Sequence, residues 1–285
     1  MENTAHRKGL AAIIVAAILW STGGVLIKLT SLNAIQLSSI RSLFAALTFL
    51  VIFRKRAIII NKAGLINAVF YAGILILFVS ATKMTTAANA IFLQYTAPIY
   101  VLIFEPIINK TKYEKINIIS SLFCFLGMGL FFFDQLTPGH LIGNILALIS
   151  GVAFALFLLG VRKNSDEYQY STVFYGNILI TLIGLYSIGS IHSIVPRDII
   201  FTIYLGVFQI GIAYAFFNFG LLKVLAIEAS LISMVEPILN PVWVMIWYGE
   251  KPGNFAITGG AIIILSIICR TIFQEFNLRK KEPTG

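Results

Sequence analysis

Ten apolar runs fill most of this 285-residue chain. They are Leu10–Leu29, Ile35–Phe53, Ala63–Thr82, Ala87–Ile108, Ile116–Phe133, Leu141–Val161, Ser171–Ser190, Ile199–Leu221, Ala226–Tyr248 and Phe255–Phe273. Each is long enough, at about 1.5 Å of helical rise per residue, to cross a hydrocarbon layer of roughly 30 Å. Backbone groups in lipid need internal partners, so runs of this length predict helices rather than barrel strands. An all-α membrane protein with ten transmembrane helices is expected, with no room for a soluble catalytic domain.

Charge agrees with that reading. Charged residues make up 12% of the chain, against about 25% in soluble domains. Within the runs lie Lys28, Arg41, Glu105, Glu228, Glu236 and Arg270. Lys28, Glu105, Glu228 and Arg270 are near run ends, where long side chains are expected to reach the headgroups; Arg41 and Glu236 lie well inside. The net charge of +9 sits in the connections instead of on an exposed stripe, so nucleic acid is not an expected partner. Lys and Arg crowd one side: Arg7, Lys8, Arg54, Lys55, Arg56, Lys62, Lys110, Lys112 and Lys115 are there, among others, while Lys28, Lys83, Arg197 and Lys251 are on the other. The positive-inside rule then places both termini in the cytoplasm and the protein in the cell membrane, as a multi-pass chain. The first run is too long for a signal-peptide core and is read as retained.

Cys124 and Cys269 lie in spans, and His6, His140 and His192 are scattered, so no metal-ligand spacing exists. No phosphate-binding loop is present, which argues against ATP-driven transport by this chain. Neither a cofactor nor an enzymatic activity is expected.

The runs fall into two sets of five, residues 1–135 and 136–285. Pro98 and Pro237 are each the twelfth residue of their run, and an offset of 139 also pairs Ile99 with Ile238 and Lys112 with Lys251. Trp20 and Phe154 each precede a basic residue, Lys28 and Arg162, by eight positions. An odd number of spans per half inserts the second half upside down. Two inverted five-helix repeats are the architecture of carriers that rock around a midplane site.

The chain resembles the EamA branch of the drug/metabolite transporter superfamily over essentially its whole length. The resemblance rests on Trp20-Ser21-Thr22-Gly23-Gly24 with Lys28, on Arg41-Ser42-Leu43-Phe44-Ala45-Ala46, on Glu236-Pro237, on Gly249-Glu250-Lys251 and on Gly259-Gly260-Ala261. Ser21-Thr22 replaces the glycine that family members carry after the tryptophan, and Lys110-Thr111 stands where the first half would carry Gly-Glu. The resemblance implies a ten-helix bundle that moves small metabolites such as amino acids, usually outward. Other readings weighed beside it are exchange of nucleotide sugars or sugar phosphates, and a non-transporting membrane sensor. Anionic cargoes of the former kind would want several cationic side chains, and Arg41 alone is available.

Proline removes a backbone donor and clashes with the carbonyl four residues back, so Pro98, Pro237 and Pro241 predict helix kinks that free the carbonyls of Gln94, Ser233 and Pro237. Glu236, about 15 Å from either end of its run, must be protonated, paired or wet, which suits proton coupling or a structural helix-to-helix bond. Arg41 has three readings: snorkelling outward, pairing with Glu236, or meeting a substrate carboxylate. The candidate lining of a substrate cavity is Trp20, Asn89, Gln94, Tyr95, Tyr175, Asn177, Gln209, Tyr214, Asn218, Glu236 and Asn240. Amides supply hydrogen bonds and rings supply apolar or cation-binding surface to a small amphipathic solute. For each residue singly, helix-to-helix bonding is the competing reading.

Overall fold

The computed structural model describes residues 2–112, 114–133, 136, 138–163, 168–189, 195–248 and 253–281. All regular structure among them is helical. In chain order the elements are α1 (Glu2–Ser21), α2 (Gly23–Leu29), α3 (Ala34–Phe53), a 3-10 turn (Arg54–Ile58), α4 (Lys62–Met84), α5 (Ala87–Gln94), α6 (Ala97–Ile108), α7 (Lys115–Phe131), α8 (Leu141–Lys163), α9 (Gln169–Ile188), α10 (Pro196–Tyr204), a π-helical segment (Leu205–Ile212), α11 (Ala213–Leu221), α12 (Ala226–Ser233), α13 (Val235–Tyr248) and α14 (Asn254–Lys281). Among the described residues, eight helical stretches are long and apolar enough to cross a bilayer, counting α1 with α2, α3 with the 3-10 turn, α5 with α6, and α10 through α11 as continuous; α7 is a shorter apolar helix. The bundle turns leucine, isoleucine and phenylalanine outward, with Val51, Leu122, Leu126, Leu182 and Leu265 all more than half exposed. A polypeptide with such a surface is a multi-pass membrane protein, since lipid is the solvent that this surface fits.

Helix starts follow from local chemistry. Asn33 closes a reciprocal capping box with Gln36 at the start of α3. The Asn61 side chain accepts from Gly64 N at the start of α4, and Thr86 accepts from Asn89 N at the start of α5.

Three of the apolar runs are not single helices. The run that begins at Leu10 breaks at Thr22, where the hydroxyls of Ser21 and Thr22 turn back to donate to Ile18 O and Leu19 O at 2.6 and 2.7 Å. Hydroxyls placed there satisfy the carbonyls that the break releases. The run starting at Ala87 breaks between Gln94 and Ala97, and the one starting at Ala226 breaks at Met234. Both breaks precede a proline in the first turn of the next helix, Pro98 in α6 and Pro237 in α13, where a missing N–H costs no internal bond. The last residues before each break tighten into i→i−3 bonds: Thr96 N donates to Leu93 O and Met234 N to Leu231 O. The expected kinks at Pro98 and Pro237 are therefore full interruptions. Pro241 lies inside α13, which continues through it; its side chain lies outside the described residues.

The two short helices before the breaks match. Both α5 and α12 are eight residues long, and both their starts and their ends are 139 positions apart. A fourth irregularity is the π-helical Leu205–Ile212, eight residues of wider turn that include Gly206 and Gly211. Gly206 is required where it is: a Cβ there would meet Arg41 O at 2.4 Å and Phe44 Cβ at 2.5 Å, so α3 and the π segment touch backbone to backbone.

Candidate solute-binding cavity

All four irregularities border one cleft of about 450 Å³, lined by Trp20, Ile74, Leu75, Phe78, Gln94, Tyr95, Phe154, Gln209, Ile210, Tyr214 and Glu236. Trp20 is the last residue but one before the α1 break, Gln94 and Tyr95 end α5, Glu236 opens α13, and Gln209 and Ile210 lie in the π segment. Interruptions bring polar backbone and side chains to mid-membrane without leaving them in lipid, which is tolerated only around a cavity or buried in protein. Runs of wider π turn recur at functional sites for the same reason.

The polar face of the cleft centres on Tyr95, whose hydroxyl donates to Glu236 Oε2 at 2.5 Å. This bond joins the α5–α6 break to the α12–α13 break. Gln94 Nε2 donates to Ser150 Oγ at 2.7 Å, and Ser150 in turn donates to Ile74 O at 3.0 Å. The freed carbonyl of Gln94 faces Gly151 of α8, where a Cβ would sit 2.8 Å from it. Gln209 folds over Gly23, and its Oε1 has no hydrogen-bond partner among the described residues; the same holds for Trp20 Nε1. Trp243 Nε1 donates to Ser21 Oγ at 2.8 Å and Tyr204 OH to Thr22 Oγ1 at 3.0 Å, which clamps the α1 break from two sides.

The remaining walls are aromatic. Trp20 meets Phe154 edge-on at 6.4 Å between centroids and packs against Tyr214 and Phe217 at 4.9 and 4.7 Å. Tyr71 stands edge-on to Tyr214 at 4.8 Å. Such tilted and edge-to-face rings prefer fixed relative orientations, so the wall is stiff.

Of the eleven residues expected to line a cavity, the structure brings together Trp20, Gln94, Tyr95, Gln209, Tyr214 and Glu236. Four others are placed elsewhere. Asn89 Nδ2 donates to Thr85 and Asn144, Asn177 Nδ2 to Tyr71 OH and Val173 O, and Asn218 Nδ2 to Gln169 O; Tyr175 OH donates to Ile58 O. These bonds join helices, and in apolar surroundings they satisfy groups that would otherwise be stranded. The Asn240 side chain lies outside the described residues, as does that of Lys28 and the whole of Gly249-Glu250-Lys251. Ile74, Leu75, Phe78 and Ile210 were not expected, because in a chain this apolar nothing marks a cavity-facing isoleucine from a lipid-facing one. Phe154 alone carried a signal, its correspondence with Trp20.

Arg41 neither snorkels nor pairs with Glu236. It is 1% exposed, with Nε and Nη2 lacking partners among the described residues. Glu105, Glu228 and Arg270 do not reach outward either; all three are buried. The Glu105 carboxylate accepts from Ala226 N and Ile227 N at 3.0 and 3.1 Å, capping α12 from α6. Glu228 meets His6 Nε2 at 2.9 Å and Arg270 Nη1 at 2.5 Å, and Arg270 Nε donates to Asn117 Oδ1 at 3.0 Å. Arg162 Nη1 donates to Leu221 O at 3.3 Å. This ionic cluster closes the end of the bundle that carries the N-terminus. By helical rise it lies about 12 Å from the cleft along the chain from Glu228 to Glu236, and about 15 Å along that from Tyr95 to Glu105. At the opposite end, Ser31 N and Oγ both donate to Asp198, and Lys83 Nζ donates to Thr30 O.

A larger groove, about 1100 Å³, runs past Val15, Ile52, Phe216 and Phe219. Its lining is apolar apart from Lys8 and Tyr170, and it offers no convergent polar groups, so it fits acyl chains and not a polar solute.

Comparison with known proteins agrees with this geometry. A solved crystal structure shares the fold with a TM-score of 0.80, covering 96% of this chain and 99% of its own, at 15% identity. Similar curated proteins include a biotin transporter of Escherichia coli K12, 23% identical over 78% of this chain and 79% of the relative. An uncharacterized transporter of Archaeoglobus fulgidus is 24% identical over 92% and 96%, and human solute carrier family 35 member G1 is 23% identical over 95% and 81%. The EamA-like transporter family is matched twice, by residues 7–133 and by residues 141–272, and the chain belongs to that family.

Proposed function

We propose that this protein is a secondary carrier that moves a small amphipathic metabolite across the membrane by alternating access around the Trp20–Tyr95–Tyr214–Glu236 cleft. The observation that carries the reading is the convergence of the α1, α5–α6 and α12–α13 breaks and the π segment on one polar pocket. Discontinuous helices meeting at mid-membrane are how carriers build a solute site. Amino acids are the first substrate class to test, with export as the direction that the resemblance suggests; a relative named for biotin adds a second solute. Glu236, tied to Tyr95, is the proposed site of proton coupling.

Ten spans in two inverted halves, residues 1–135 and 136–285, are the architecture that goes with this. The packing supports it, because helix pairs map onto one another when the halves exchange. The α4–α8 pair corresponds to α11–α1, α4–α9 to the π segment with α3, α5–α8 to α12–α1 and α6–α8 to α13–α1, while α3–α9 and α7–α14 each map onto themselves. The two separate family matches, one in each half, point the same way.

The test is binding and flux in the same variant. Gln209 lines the cleft and its Oε1 has no hydrogen-bond partner among the described residues, so Gln209→Ala should weaken solute binding while leaving the unfolding temperature close to that of the parent. A thermal-shift screen against amino acids, amines, sugars and biotin supplies the solute, and proteoliposome flux supplies the activity. No saturable flux for any solute bound in the screen overturns the carrier reading.

A further inference from the structure

Arg41 is a cation in the middle of a membrane protein with no ion-pair partner among the described residues. It is buried to 1% exposure, and its Nε and Nη2 both lack hydrogen-bond partners among the described residues. Those two nitrogens form one edge of the guanidinium, the edge whose parallel N–H bonds match the two oxygens of a carboxylate. On the same helix, Ser38 and Ser42 flank Arg41, and their buried hydroxyls are also unpartnered. Four donors on one stretch of α3 are thus unfilled.

No carboxylate among the described residues pairs with Arg41; Glu228 pairs with His6 and Arg270 at the far end of the bundle. The groups that feel the charge of Arg41 are the neutral phenols Tyr71 and Tyr214. Tyr214 lines the cleft, and Tyr71 stands edge-on against it. The Arg41 backbone packs on Gly206, three residues before the cleft-lining Gln209. A buried, unpaired charge is costly in a low-dielectric setting, and the cost is lifted when a matching anion arrives.

We propose that Arg41 is the anion pole of the solute site, and that the carried solute is an organic monocarboxylate with an apolar or aromatic body. The body lies against Trp20, Phe154 and Tyr214, and the carboxylate takes the free Nε–Nη2 edge past the Tyr71–Tyr214 pair. This rests on the cleft being the solute site. It goes beyond that reading by assigning the charge of the solute and the residue that reads it. A sugar phosphate or nucleotide is a poorer fit, since one guanidinium edge cannot neutralise two or more negative charges.

The experiment compares three probes of similar shape on the full chain in nanodiscs near pH 7.5: 3-phenylpropionate, 3-phenylpropionamide and 2-phenylethylamine. Titration calorimetry should show the carboxylate binding about thirtyfold or more tighter than the amide, the scale of a desolvated charge-assisted pair. In Arg41→Gln that ratio should fall to near one, and Arg41→Lys, which keeps the charge but not the edge, should fall between. Equal binding of acid and amide by the parent protein, binding of neither, or a preference that survives Arg41→Gln overturns the proposal. The parent comparison decides the matter even if Arg41→Gln fails to fold. Carboxylate preference without flux removes the carrier reading and keeps this one; flux of neutral solutes without carboxylate preference does the reverse.

Discussion

Arg270 of α14 meets Glu228 of α12 at 2.5 Å, and neither side chain is more than 2% exposed. His6 of α1 holds the other oxygen of the same carboxylate, and Asn117 of α7 holds the Arg270 Nε. A single buried carboxylate on α12 therefore ties α1 and α14 together at one end of the bundle, and Arg270 links α7 to the same cluster. The outlay in desolvation is large, and it is repaid only while every partner is present.

Removing one member should therefore cost more than removing the pair. Arg270→Met leaves Glu228 charged and short of a partner and is expected to lower stability by about 3–5 kcal/mol. Adding Glu228→Leu to it should recover most of that loss. Unfolding of the single and double variants in detergent checks this; a double variant no more stable than Arg270→Met would mean that the two residues do not act as a pair.

Glu236→Gln removes the ionisable group and keeps an acceptor for the Tyr95 hydroxyl. Folding should be little changed, while any flux driven by a proton gradient should be lost. Transport assays in proteoliposomes with an imposed pH gradient measure it. Unchanged, pH-dependent flux would assign Glu236 to holding the α5–α6 and α12–α13 breaks together.

Glycines differ sharply in what they allow. Gly206→Ala drives a Cβ into the Arg41 carbonyl and Phe44 and is expected to destabilise by about 1–3 kcal/mol, as overpacking does. Gly129→Ala meets nothing within 4 Å and sits inside α7, so it should raise stability by about 0.5–1 kcal/mol through helix propensity. Parallel thermal unfolding of the two variants makes the comparison, and equal effects would contradict the packing described.

Topology is testable with single cysteines in a background lacking Cys124 and Cys269. Thr4→Cys and Pro138→Cys precede the first apolar run of each half and should label from opposite faces of oriented membranes. Labelling from one face would remove the inversion.

Much was legible beforehand. Run length and composition dictate helices that cross a membrane, because the bilayer imposes a fixed apolar length and forbids unpaired backbone. The proline positions marked Tyr95 and Glu236 as neighbours of helix breaks, and the amide and aromatic residues next to those breaks, Gln94 and Trp20, do face the cleft. Asn89, Asn177 and Asn218 look identical to Gln94 in sequence, yet their amides join helices. An amide does the same chemistry for a solute as for a neighbouring helix, so its use depends on which helix stands opposite.

What the sequence determined by itself is the solvent, the helical secondary structure and the breaks beside Pro98 and Pro237, which follow from local composition and proline chemistry, and the family, which follows from motifs along the chain. The break at Thr22 and the continuity of α13 through Pro241 it did not determine. The tertiary structure alone decided which charges meet. Glu105, Glu228 and Arg270 look like end residues reaching for headgroups, and Arg41, well inside its run, is open to snorkelling, pairing or a solute. Packing turned the first three into a buried cluster and left the Nε–Nη2 edge of Arg41 without a partner among the described residues. The reason is physical: the energy of a buried charge is set by what lies within a few ångströms of it, and in a bundle those neighbours come from helices distant in the chain.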